Sequence, residues 1–153
     1  MFTGTAGATY YFRSRSVDVA GNESGWVTST SSKVPYDQTK ASFSHSWSTL
    51  KSSARYLGTA KYTTKSGAYA NFTLSKGVLY VIATTGPKYG KFAVYYRGHK
   101  VKTIDTYSKT TKYRQAFQVV TYAKGAKASA VKIVNLATHN RPRVEIDGFA
   151  LRW

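Results

Sequence analysis

The chain has 153 residues, with 23 Lys or Arg against 6 Asp or Glu, a net charge of +17. It contains no cysteine, which excludes a disulfide framework, a thiolate metal site and a cysteine nucleophile. No apolar run approaches the ~20 residues of a membrane-spanning helix. The opening MFTGTAGATYYF lacks the basic and apolar regions of a signal peptide. For a secreted protein, the targeting segment is then expected upstream. The charge field favours anionic partners and weakens with salt, so nucleic acid, teichoic acid, acidic polysaccharide and anionic lipid all qualify. The plain alternative is that the lysines and arginines keep a Ser/Thr/Tyr-rich sheet surface soluble.

Helical periodicity is almost absent. Short, often alternating runs of Val, Thr, Tyr, Phe and Ile predict strands over Thr9–Val19, Gly25–Ser31, Ala54–Thr63, Ala68–Leu74 and Val78–Thr84. Further strands are predicted over Lys91–Arg97, Lys100–Thr106, Tyr113–Thr121, Ala130–Leu136 and Arg143–Leu151. Turn signals about every ten residues between such runs indicate an all-β sandwich or barrel. Arg97-Gly98-His99 reads as a tight hairpin turn, and Gly86-Pro87 ends its strand because proline donates nothing to a ladder. Lys124 to Lys127 reads as a loop. The polar stretch TSTSSKVPYDQTK has few apolar residues and reads as a linker or crossing loop. The expected organisation is therefore a hairpin over 1–30, a linker over 31–42 and a β-sandwich over 43–153.

In the first part, TYYFRSRSVDVAGNESGWV combines Tyr/Phe alternation with a Val-Asp-Val-Ala-Gly-Asn turn and a Ser-Gly-Trp-Val strand start. Asp18 and Asn22 can bond nearby amides and Gly21 can take positive φ. The segment Thr9 to Val27 resembles the last two strands of a fibronectin type III domain. An isolated two-stranded hairpin is marginal in water. Tyr10, Phe12, Val17, Val19 and Trp26 therefore need a partner. It is an upstream part of a longer protein, the second domain or another copy.

The second part alternates more regularly. Ala70, Phe72 and Leu74 share one face of their strand, as do Phe92, Val94 and Tyr96 of theirs. Burying such faces against each other makes a core. The expected core is Phe72, Leu74, Val81, Phe92, Val94, Phe117, Val119, Ile133, Val144 and Ile146. Gly86-Pro87-x-x-Gly90, the hairpin followed by Thr106-Tyr107-Ser108, and Val144-x-Ile146-Asp147-x-Phe149 carry a second resemblance. This part resembles the galactose-binding-like sandwiches, many of them carbohydrate-binding modules, of secreted bacterial enzymes and surface proteins. The resemblance implies a jelly-roll-like antiparallel sandwich, and fibronectin-like domains often precede such modules. Arg97-Gly98 replaces the Asp-Gly usual at the hairpin turn, which weakens the carry-over of a calcium or sugar contact there but leaves the turn feasible.

Little in the sequence supports catalysis. Glu145 and Asp147 are the only close carboxylate pair, two apart on one strand face, and read better as structural. There is no Gly-x-Ser-x-Gly elbow, and His45, His99 and His139 lie in separate segments. Gly86-Pro-Lys-Tyr-Gly90-Lys91 lacks the Gly-Lys-Ser/Thr ending of a phosphate loop. No cofactor is expected. A structural calcium, which such sandwiches often carry, could draw only on Asp37, Asp105, Glu145 and Asp147.

Thirteen tyrosines and three tryptophans exceed the needs of a core this size. Their flat apolar faces suit pyranose rings and nucleobases alike. Loops at one sandwich end often carry sites, which selects Tyr89, Tyr107, Tyr113, Arg114, His139, Asn140 and Arg141 as ligand-binding candidates. Each has a structural alternative: Tyr89 capping the sandwich, Tyr107 and Tyr113 packing under their loops, Arg114 pairing with Asp105, and His139-Asn140 forming only a turn. Trp47 and Trp153 are expected in the core or closing a sheet. The expected function is a non-catalytic module that targets a secreted multidomain protein to polysaccharide or cell wall, outside the cell or on its surface. The alternatives are a polyanion-binding or adhesion module and a structural spacer. Nucleic acid would bind only non-specifically.

Overall fold

The alternating strands form two large antiparallel sheets and two two-stranded ribbons in a computed structural model, which describes residues 3–29, 31–122, 125 and 127–152. Fifteen strands are defined among the described residues. The N-terminal ones are β1 (Thr9–Tyr10), β2 (Arg13–Ser14), β3 (Val27–Thr28), β4 (Ser32–Lys33), β5 (Tyr36–Asp37), β6 (Ser42–Phe43) and β7 (Ser48–Lys51). There follow β8 (Thr59–Thr63), β9 (Tyr69–Leu74), β10 (Val78–Thr85), β11 (Lys91–Tyr96) and β12 (His99–Asp105). The chain ends with β13 (Lys112–Thr121), β14 (Ser129–Asn135) and β15 (Val144–Arg152).

One sheet orders β13-β10-β15-β8-β7, with β5 added on β15; the other orders β12-β11-β14-β9-β6. Their inner faces meet in one core. Phe72 of one sheet stacks on Phe149 of the other at 4.7 Å between ring centroids. Leu79, Val81, Phe92, Val94, Ile133, Val144 and Ile146 are fully buried around them. Burying each such side chain contributes roughly 1.5–3 kcal/mol. Nine of the ten expected core residues are buried; Phe117 is half-buried because β13 is an outermost strand. Trp47 also lies in the core, edge-on to Phe43 at 5.0 Å, while Trp153 lies outside the described residues, as do parts of the Lys124–Lys127 segment.

The hairpin turn Arg97-Gly98 joins β11 to β12 as two residues, both at positive φ (53° and 82°). That is the geometry whose twist matches the flanking strands. Elsewhere the prediction differs. The expected strand Thr9–Val19 forms only β1, β2 and a bridge from Val17 to Glu23. The expected Ala54–Thr63 begins with a 3-10 turn over Tyr56–Gly58, where Leu57 takes φ 50°. The stretch 31–42 carries β4, paired with β1, and β5, paired with β15. Gly148 admits β5: a Cβ there would stand 2.6 Å from the Tyr36 carbonyl oxygen.

Candidate functional site

The sandwich end at the start of β15 gathers three loops. The Gly86–Gly90 loop is pinned by backbone bonds: Gly86 N–H donates to the Thr106 carbonyl (3.1 Å) and Gly90 N–H to that of Arg143 (2.8 Å). Gly90 is required there, because any Cβ would collide with the Arg141 carbonyl. Asn135 fixes the third loop: its amide donates to the carbonyls of Lys65 (3.1 Å) and Pro142 (3.0 Å) and accepts from Ala137 N–H (3.0 Å).

The outer cluster sits on the loop rim. Arg141 donates to Asp105 (2.9 and 3.3 Å) and to the Tyr89 carbonyl (3.1 Å). Its guanidinium lies 4.8 Å from the Tyr107 ring centroid. Burial opposes ionisation of Asp105, but Arg141 and the Tyr107 N–H (2.9 Å) hold its carboxyl below the usual range. Tyr107 remains 52% exposed. A planar cation on one face therefore holds an open tyrosine ring in a set orientation.

The inner cluster lies on the outer face of the β10-β15-β8 sheet. Val144 and Ile146 enter the core, so Glu145 between them points away from it, yet it is fully buried. It accepts from Arg55 Nε (2.7 Å), Thr84 Oγ1 (2.6 Å), Tyr89 OH (3.2 Å) and Arg143 (2.9 Å). Burial would raise its pKa, but the bonds from Arg55, Thr84 and Arg143 outweigh that and hold it below the ordinary range. Each arginine also covers an aromatic ring: Arg55 lies over Tyr113 at 4.3 Å, and Arg143 over Tyr62 at 4.2 Å. Asp147, on a bulge in β15, accepts from Tyr56 N–H (2.8 Å). Burial pushes its carboxyl up to about 6. The four carboxylates considered for calcium are thus engaged by protein partners, Asp37 by capping the turn at Thr39 N–H (2.9 Å).

The structure brings Tyr107 and Arg141 together, and separately Tyr89, Tyr113 and Arg114. Tyr89 is buried at 8% exposure, with its hydroxyl on Glu145 and its pKa raised by burial and by that carboxylate. It is placed as a strut between the clusters rather than as an open platform. Tyr113 is 44% exposed. Arg114, at φ 54°, donates to the carbonyls of Ser53 (3.2 Å) and Arg55 (3.0 Å), and it is Arg141 that pairs with Asp105. His139 and Asn140 are exposed in the turn closed by Arg141 N–H on the Thr138 carbonyl (2.9 Å). Sequence reasoning missed Arg55, Tyr62 and Thr84. Arg55 reaches Glu145 across 90 residues of sequence, so no local pattern signals it.

No family model matches the sequence, and no curated protein matches it. Solved structures do match. A Paenibacillus xanthan lyase superposes with TM-score 0.59 at 14% identity over 76% of this chain, which spans 13% of the lyase. The Agl-KA catalytic domain gives TM-score 0.57 at 14% identity over 78% of this chain and 27% of its own. CBM35 from Paenibacillus barcinonensis gives 0.52 at 11% identity over 77% of this chain and 96% of its own. The chain is therefore similar in fold to a carbohydrate-binding module along nearly that module's whole length. Among the described residues no helix is long and apolar enough to cross a membrane.

Proposed function

We propose that the chain is a non-catalytic carbohydrate-binding module that targets a secreted multidomain protein to polysaccharide or cell wall. The observation that carries this reading is the pair of half-exposed tyrosines, Tyr107 and Tyr113, each oriented by a stacked arginine at one end of the sandwich. Such rings offer apolar faces to the C–H surfaces of pyranoses, while the arginines behind them are held by Glu145 and Asp105. Arg114, His139, Asn140 and Arg141 border the same end. The fold likeness to a carbohydrate-binding module supports the reading. Glu145 and Asp147 are fully buried, Glu145 among four donors and Asp147 on the Tyr56 N–H, which suits a scaffold role rather than acid–base work.

A polyanion-binding role is the second reading, favoured by the net charge of +17. The two separate by salt. Pull-down on neutral and acidic polysaccharides and on duplex DNA at low and high salt discriminates them, because counterion-driven binding falls steeply with salt. Retention on one neutral glycan at high salt supports the module. Binding confined to polyanions and abolished by salt refutes it.

A further inference from the structure

The face of the β12-β11-β14-β9-β6 sheet that looks away from the core is a second surface. Phe92, Val94 and Tyr96 of β11 enter the core, so Lys91, Ala93 and Tyr95 point outward. Register carries one outward row across all five strands: Lys100 of β12, Tyr95 of β11, Lys132 of β14, Asn71 of β9 and Ser42 of β6. The row beside it runs Thr103, Ala93, Val134 and Tyr69. Neighbouring strands lie about 4.8 Å apart, so the backbones of Lys100 and Lys132 stand roughly 10 Å apart with Tyr95 between them. Both lysines are exposed and Tyr95 is half-buried.

The charge on this face is one-sided. Of the six acids in the chain, Asp18 and Glu23 lie in the N-terminal ribbon, and Asp37, Glu145 and Asp147 lie on β5 and β15 of the other sheet. The sixth, Asp105, ends β12, where Arg141 holds it and Lys91 stands 3.9 Å away. Among the described residues no acid pairs with Lys100 or Lys132. Lysines placed for solubility are interspersed with acids, and lysines that guard a sheet edge lie on edge strands. Neither arrangement accounts for Lys132, which sits on the middle strand of five. Its ammonium lies 4.2 Å from the Tyr69 ring centroid, which fixes a cation over the sheet instead of leaving it to swing in solvent.

We infer that this sheet face binds an acidic polysaccharide laid across the strands, with one pyranose on Tyr95 and the carboxylates of the flanking sugars on Lys100 and Lys132. Separate point charges on either side of a ring match charge carried by the sugars before and after a stacked one. Asn71 and Ser42 continue the row with neutral groups that suit hydroxyls. A nucleic-acid strand is the poorer fit. Successive bases need successive open rings, and Tyr69 in the neighbouring row is already covered by Lys132. The surface shares no residue with the loop-end tyrosines, so neutral and acidic glycans would be held at different places on the sandwich.

Isothermal titration of the whole chain with hexamannuronate tests this, with neutral mannohexaose and oligothymidylate run in parallel. The expected result is saturable binding of hexamannuronate that weakens with salt, and weaker binding of mannohexaose. Lys100→Gln and Lys132→Gln are each expected to weaken hexamannuronate about twofold to fivefold, as for exposed ion pairs. The two losses should multiply in the double variant, whose salt dependence should also be shallower. Tyr95→Ser is expected to cost about twofold to tenfold. Both lysines are exposed, so the double variant should melt as the parent does and keeps the test decisive even if Tyr95→Ser unfolds. Mannohexaose binding as tightly as hexamannuronate, oligothymidylate binding more tightly, or a double lysine variant that binds hexamannuronate as the parent does overturns the proposal. So does hexamannuronate binding that is abolished by Tyr107→Ala, which would place it at the loop end.

Discussion

The sandwich and the N-terminal ribbon are built from similar residues and end differently. Both alternate aromatic or β-branched residues with polar ones. In the sandwich a second sheet lies opposite, and Phe92, Phe149 and Leu79 are fully buried. In the ribbon, among the described residues, no second layer lies over Trp26, Val19 or Val27, which are 58%, 110% and 66% exposed. The ribbon is held by local polar bonds: Asp18 accepts from Ala20 and Asn22 N–H (both 2.9 Å), and Arg15 pairs with Glu23 while lying over Trp26. Strand pattern specifies local conformation, but only a facing layer turns that pattern into stability.

Substitutions in the two regions should therefore differ by kilocalories. Phe92→Ala is expected to cost about 3–5 kcal/mol in denaturant unfolding, from lost transfer energy plus a cavity. Glu145→Gln follows closely at about 3 kcal/mol, because it leaves the Arg55 guanidinium buried without its counter-charge. A cost under about 0.5 kcal/mol would show that the cluster is solvated rather than structural.

Asp147 gives a smaller effect of opposite sign. Its folded-state carboxyl titrates at about 6, above the roughly 3.9 of an unfolded chain. The folded state thus holds the proton more tightly, and stability falls as pH rises from about 4 to about 6. Asp147→Asn removes that penalty while keeping an acceptor for Tyr56 N–H. It should match the parent near pH 4 and exceed it by about 2–3 kcal/mol above pH 7. Melting curves across that range check it, and a gap independent of pH refutes it. Smallest of all, Trp26→Ala should change unfolding free energy by less than about 0.5 kcal/mol, as for exposed sites generally. A large loss would mean that the ribbon has a packing partner in solution.

The same contrast explains what the sequence discloses. The two-residue turn at Arg97-Gly98 and the inward set from Phe72 to Ile146 are written in local alternation and in the few residues that tolerate such turns. The loop-end candidates are legible as exposed Tyr and Arg near Gly and Pro. What they touch is not. Tyr89 reads as a surface ring but serves as a buried strut, since its hydroxyl finds Glu145 56 residues away. Arg114 reads from the sequence as the candidate partner for Asp105. The positive φ of Arg114 directs its side chain to the Ser53 and Arg55 carbonyls, leaving Arg141 to Asp105. Likewise Pro35 and its polar neighbours read as a linker, although Tyr36 and Asp37 pair with β15 once Gly148 gives them room.

The most direct test of the central claim is amide chemical-shift mapping with a neutral oligosaccharide drawn from the glycan that retains the protein at high salt. The account predicts saturable shifts at Tyr107, Tyr113 and Thr138–Arg141, lost in Tyr107→Ala. Shifts confined to the other end of the sandwich or to the sheet faces, with Tyr107→Ala binding as well as the parent, would contradict it.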